Sequence, residues 1–197
     1  MSNIWLTADL HLAHPKVAKL RGFDSIDEHD RTILSNIANT LNRNDHLWIC
    51  GDLSSGGSGS ERSALDQLQQ FTPFFTMHLV AGNHDSVHPM HRKAYTRQGI
   101  FGEVFASIQP FAYRRAAGHR LWLSHFPYFG DGDRGQIERF PEVRLHDNGI
   151  DFLAHGHLHC TEQWTGPRSL HVGLDAWNLT PVNIETVVDM IVERATA

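Results

Sequence analysis

The sequence predicts an α/β fold, and three observations carry the prediction. Strand-like and helix-like segments alternate through the first half, each strand-like segment there ends in a polar cluster, and short strands fill the second half. Asn3 to Ala8 reads as a first strand that delivers Asp9 and His11, followed by a polar loop with His14 and Pro15. Ser25 with Glu28 makes a capping-box pattern, and Ile26, Ile33, Leu34, Ile37 and Leu41 recur at helical spacing, predicting a helix over 26–42. His46 to Cys50 reads as a second strand running into Gly51 and Asp52, then a flexible loop from Ser54 to Ser60 and a short helix over 61–71. Phe74 to Val80 forms a third strand that delivers Gly82, Asn83, His84 and Asp85. In sheets with crossover helices, ligands bind outside the carboxyl ends of the strands, where these polar clusters fall.

The second half reads as richer in antiparallel pairing, with strands at Glu103–Arg115, Arg120–Ser124, Asp151–Ala154, Thr161–Trp164 and Leu170–Val172 and turns at Gly118 and Gly166. A long segment between His125 and Asp151, with Gly130, Asp131, Gly132, Asp133, Arg134 and Arg139, has no clear strand, as functional loops often lack one. Asn183 is placed to cap a last helix whose Ile184, Val187, Val188 and Ile191 share one face.

At 197 residues, with 41% hydrophobic and 20% charged, the chain has the make-up of one soluble globular domain able to bury a core without disulfides. It has no apolar run of about 18 residues to span a bilayer, and MSNIWLTADLHL lacks the pattern of a signal peptide, so no membrane partner and a cytoplasmic location are expected. A formal net charge of -5 argues against strong binding of long nucleic acids. Cys50 and Cys160 read as small buried thiols. The unusual figure is 15 His against 17 Lys and Arg together, scattered rather than run together, which points to imidazole chemistry.

Carboxylate oxygen and imidazole nitrogen are what borderline divalent metals bind. Taken singly, Asp9-x-His11 also suits a surface loop, Gly51-Asp52 a turn, and His125 a structural role. Gly82-Asn83-His84-Asp85 says more: Gly permits a sharp turn, Asn offers a neutral oxygen, and His beside Asp is a natural acid with a carboxylate to orient it. His155-Gly156-His157-Leu158-His159 puts three imidazoles in five residues, where metal binding outweighs a structural reading. His78 on a strand and the exposed-looking His29, His91 and His146 read as structural or solvated, and His171 as a possible support near a strand end.

In this order, Asp-x-His, Gly-Asp, Gly-Asn-His-Asp, a lone His and Gly-His-x-His resemble the signature of the calcineurin-like metallophosphoesterase superfamily, from residue 4 to about 184. Arg21-Gly22-Phe23, His88-Pro89-Met90, His125-Phe126-Pro127-Tyr128 and Gly173-Leu174-Asp175-Ala176-Trp177 look like its small stand-alone bacterial and phage members. The resemblance implies a four-layer α-β-β-α sandwich with two mixed sheets and metals over the strand ends. It implies one metal on Asp9, His11, Asp52 and His159, and a second on Asp52, Asn83, His125 and His157, with Asp52 between them. It implies two divalent ions, manganese first with iron, zinc or cobalt also fitting, and in-line attack of a bridging hydroxide on a small phosphoester. His84 would serve the leaving oxygen, with Asp85 orienting it; His155 is not a ligand position, and His14 is within reach of a substrate phosphate. A small nucleotide-like or cyclic diester is the expected substrate, with a phosphomonoester as the alternative. A nuclease is disfavoured by the charge, and a non-catalytic interaction module by the complete ligand set.

Overall fold

A computed structural model describes residues 2–130 and 139–196. Asp131, Gly132, Asp133 and Arg134 of the long segment lie outside the described residues. Two mixed sheets pack together. The first has the order β4 (Ser107–Gln109), β3 (Thr76–Val80), β2 (His46–Ile49), β1 (Ile4–Thr7) and β9 (Val182–Asn183). Its first four strands are parallel and β9 is antiparallel to β1. The second runs β5 (Phe111–Ala116), β6 (His119–Ser124), β7 (Phe152–His155) and β8 (Ser169–His171).

The first three parallel strands are joined by α1 (Pro15–Leu20) and α2 (Ile26–Thr40), then by α3 (Ser58–Gln69), and the short α4 (Gln98–Phe101) precedes β4. The Ser25 hydroxyl accepts the Glu28 N–H at 3.1 Å, so the cap read from sequence sets the start of α2. Ile33 and Ile37 of α2 and Leu65 and Leu68 of α3 bury against Leu47, Ile49, Met77 and Leu79 on one face of the first sheet. The opposite face meets the second sheet through Leu6, Val80, Leu121, Leu123, Ala154 and Leu170, a cluster that Val187 and Ile191 of α5 (Ile184–Thr196) complete. Asn183 Oδ1 accepts the Glu185 N–H at 2.8 Å, the cap expected for α5.

Several boundaries differ from the sequence reading for identifiable reasons. The strand expected over Glu103–Arg115 is two strands in different sheets: Pro110, which has no N–H for a ladder, separates β4 beside β3 from β5 beside β6. Thr161–Trp164 is not a strand, and only Trp164 bridges to Leu170. The second sheet is less antiparallel than expected, because β6, β7 and β8 run parallel. Helix α3 starts three residues early, at Ser58, after Gly56 and Gly57 turn the chain at φ of 80° and 79°. Cys160 is half-buried, not buried, and His29 is fully buried, not exposed.

With no exposure and a position facing the first core, Ile37 is a test of this packing. Ile37→Ala is expected to lower unfolding free energy by about 2–5 kcal/mol, read from urea midpoints. A loss under about 1 kcal/mol would mean α2 is not seated as described.

Candidate metal centre

Strands β1, β2, β3, β6 and β7 all end at the same edge of the sandwich, and each carries a polar residue just past its end. The loop after β1 is laced to the loop after β2: Asp9, His11 and Leu12 donate N–H to the carbonyls of Gly51, Asp52 and Leu53 at 3.0, 3.1 and 2.8 Å. The two sheets are joined there as well. The His157 N–H donates to Asp9 Oδ2 at 2.9 Å, and His125 Nδ1 lies 2.9 Å from Cys50 O.

All seven residues singled out as ligands converge. Asp52 Oδ2 lies 3.8 Å from His11 Nε2, 3.5 Å from His125 Nε2 and 3.9 Å from His84 Nε2. Around it, His11 Nε2 faces His159 Nε2 at 2.9 Å, while His125 Nε2 faces Asn83 Oδ1 at 3.1 Å and His157 Nδ1 at 3.2 Å. Asp9, His11 and His159 bring one ligand atom each within 4.8 Å of one another, as do Asp9, Asp52 and His125.

The protons on these rings are fixed from behind. His11 Nδ1 donates to Ser54 O at 3.0 Å and His125 Nδ1 to Cys50 O at 2.9 Å, which leaves each Nε2 as a lone pair. Burial holds His11 well below the usual imidazole range and His125 at about 4, so both are neutral and fit to ligate. Against the upward push of burial, His171 and then the nearby His159, His125 and His11 hold the Asp9 carboxyl well down, in its ionised form. The Nε2 lone pairs of His11 and His125 face acceptor oxygens of Asp52 and Asn83, a repulsion that a cation among them relieves. This donor set of carboxylate, amide oxygen and neutral imidazole therefore fits divalent metal.

Asp9, His11, Asp52, His157 and His159 all have positive φ, between 48° and 75°. Such conformations cost about 1–3 kcal/mol each in non-glycine residues and collect at functional sites. Glycine is needed where backbone runs under the ligands: a Cβ on Gly156 would lie 2.6 Å from both Ala8 Cβ and Asp9 Oδ2.

His84 stands beside the cluster, its side chain one-third exposed and its ring 5.7 Å from that of His11. Asp85 does not orient that ring. Its Oδ2 accepts the N–H groups of Asp52 and Gly82 at 2.9 and 2.7 Å, and its Oδ1 that of Leu53 at 3.0 Å, so it ties the loop after β2 to the loop after β3. Glu61 adds a second tie, accepting from Ser86 N at 2.8 Å and Arg97. His14 is at the edge of the cluster, 5.2 Å ring to ring from His11. His155 faces away, with Nδ1 donating to Gly156 O at 2.8 Å and Nε2 against Thr165 Oγ1 at 2.7 Å. His91 supports the site through a 3.1 Å bond to Asn83 O, while His78 is half-buried between His46 and Ser107 and His146 is exposed.

Three further contacts surround the cluster. Arg139 Nη2 reaches His157 Nε2 at 3.3 Å. His171 Nε2 lies 3.8 Å from Asp9 Oδ2, and Asp9 and Cys160 raise it to about 9 against the downward push of burial. Arg21 and Asp175 meet behind His159. Of these, His171 was read from sequence as a support near a strand end, while the only sequence signal for Arg21 and Asp175 was membership in motifs with no assigned chemistry.

An α/β sandwich that gathers two carboxylates, an amide and four imidazoles beyond the ends of its strands has the architecture of a divalent-metal hydrolase. The chain belongs to the family described as calcineurin-like phosphoesterase, which it matches over residues 2–161. The gene 66 protein of Mycobacterium phage D29 is 39% identical across 93% of this chain and 94% of its own length. The gene 66 protein of Mycobacterium phage L5 is 35% identical across 97% and 95%. Among solved structures, protein AQ665 from Aquifex aeolicus superposes with a TM-score of 0.72 over 96% of this chain and 100% of its own; at 19% identity this shows shared fold.

Buried neutral histidines away from the ligand positions set an acid limit. His88, edge-on to Phe126, and His155 are pushed down by burial to about 4 and about 3. An unfolded imidazole titrates near ~6.5, so below that pH the unfolded chain binds more protons than the folded one. Their contribution is whole above pH ~6.5 and is lost as pH falls toward 4. The thermal midpoint of metal-free protein should drop steadily across that window, and a flat midpoint would contradict the neutral assignment.

Proposed function

We propose that this protein is a dinuclear, metal-dependent phosphodiesterase acting on small nucleotide-like or cyclic diesters in the cytoplasm. The observation that carries the diester preference is a pair of cavities that border the cluster, one at Asn83 and His84 and one at His159. One, of about 450 Å³, is lined by Asn83, His84, His91, Lys93 and Arg97. The other, also about 450 Å³, is lined by His159, Val17, Leu20, Leu174 and Leu179. A diester carries two organic substituents, and each cavity is large enough for one of nucleoside size.

Asp9, His11, Asp52 and His159 would hold one ion, and Asp52, Asn83, His125 and His157 the other, with Asp52 shared. Divalent ions held there, manganese by preference, would polarise the phosphoryl oxygens and lower the pKa of water. The chain's own groups do the rest. His84 Nε2 faces the cleft beside Asp52 and is placed to give a proton to the departing oxygen, on the cavity that would receive that substituent. His14, at the rim next to His11, is placed to donate to a substrate phosphate oxygen. Asp85 keeps Asp52 and Gly82 in register rather than acting on the substrate.

A monoesterase is the second reading, favoured by Arg139, whose guanidinium beside His157 would help neutralise a dianion.

With manganese, purified protein is expected to turn over bis(p-nitrophenyl) phosphate with higher kcat/KM than p-nitrophenyl phosphate; the reverse order would overturn the diester preference in favour of the monoesterase. His84→Ala should lower kcat by about 10²–10⁴ with metal content unchanged. Full activity in that variant would remove His84 from the chemistry. Asp52→Ala should abolish turnover and leave the protein without tightly bound metal.

A further inference from the structure

We propose that Asp175, clamped by Arg21, is a positioning residue that fixes His159 for metal binding, while the same guanidinium fixes the backbone at Asp9. The proposal rests on the reading of Asp9 and His159 as ligands. Arg21 caps α1, and its side chain is 4% exposed. Its Nε donates to Asp175 Oδ1 and its Nη2 to Asp175 Oδ2, both at 2.8 Å, a bidentate pair. Nη2 also donates to Asp9 O at 2.8 Å, and Nη1 to Leu10 O at 3.2 Å and His29 Nε2 at 3.1 Å. A guanidinium has five N–H groups, and these bonds use every one. Arg21 therefore has none to offer a substrate phosphate, and its work is internal.

The bond partners define a chain of fixed orientations. His29 Nδ1 donates to Asp30 Oδ1 at 2.8 Å, which makes its Nε2 an acceptor for Arg21. Asp30 Oδ2 accepts the Ala13 N–H at 2.8 Å, so the network is anchored in the loop that carries His11. At the other end, Asp175 Oδ2 lies 3.4 Å from His159 Nδ1. A carboxylate at Nδ1 keeps the proton there, holds the ring plane and leaves the Nε2 lone pair, which faces His11, for a cation. His159 needs such support because it is the ligand ring on the rim, 22% exposed, on a backbone at φ 53°. Arg21 and Asp175 are 154 residues apart in sequence, and their meeting gives a role to two motifs that the ligand set leaves unused. Lysine at position 21 would lack the fork that grips both Asp175 oxygens while holding three further acceptors.

The test is calorimetric titration of metal-free protein with Mn²⁺, comparing the wild type with Asp175→Ala, Asp175→Asn and two references, His159→Ala and His125→Ala. Wild type should show two binding events. Asp175→Ala should weaken by about 10–100-fold the event that His159→Ala abolishes, and spare the one that His125→Ala abolishes. Asp175→Asn retains an acceptor for His159 Nδ1 and the shape of the site, so it should show a smaller loss at the same event, and it stands in if the alanine variant does not fold. A folded Asp175 variant with wild-type isotherms would overturn the proposal, as would equal weakening of both events, the mark of a general structural role. Wild type that takes up no Mn²⁺ would instead overturn the metal-site reading itself, and this proposal with it.

Discussion

The arrangement depends on where Asp52 is held. Its backbone N–H is gripped by Asp85, its Oδ1 accepts the His84 N–H at 2.8 Å, and its carbonyl accepts from His11. With three sides fixed, Oδ2 has one place to go, between the nitrogens of His11 and His125. The same bonds tie the ends of β1, β2 and β3 together. Asp9 extends the tie to the second sheet by accepting the His157 N–H. Position of the ligands and closure of the sandwich at this edge are thus one set of hydrogen bonds.

That edge is costly for the folded chain by itself. Five residues of the cluster sit at positive φ, and the neutral His11 and His125 are buried with their Nε2 atoms turned toward other polar atoms of the cluster. The two cores provide the compensation, with Leu6, Ile33, Ile37, Leu47, Ile49 and Leu68 all fully buried. Burial also supplies chemistry, since it keeps His11 and His125 unprotonated and so available as donors near neutral pH. A site built this way gains most from a ligand that binds lone pairs, and a divalent cation is that ligand.

Much of this was legible in the sequence, because the signals were local. Strand-to-polar-loop steps placed Asp9, Asp52 and Asn83 beyond parallel strands, and the caps at Ser25 and Asn183 fell where they were read. What was not legible depended on partners far away in the chain. Arg21 and Asp175 carry no local pattern that links them, and His29, on a helix face that looked solvated, is buried with Arg21 and Phe23 against its ring. Asp85 shows the opposite error. Its neighbour His84 suggested a side-chain pair, whereas three backbone amides from two loops compete for the same carboxylate and win. Pro110 was in plain view, but that it divides one apparent strand between two sheets follows from tertiary pairing.

The proposed function turns on Asp52 serving both metal positions. Electron paramagnetic resonance of the protein loaded with two equivalents of Mn²⁺ tests it most directly. A shared carboxylate predicts an exchange-coupled pair, with the six-line signal of isolated Mn²⁺ suppressed and its multiline replacement lost in Asp52→Ala. Two independent six-line centres at full loading would contradict it.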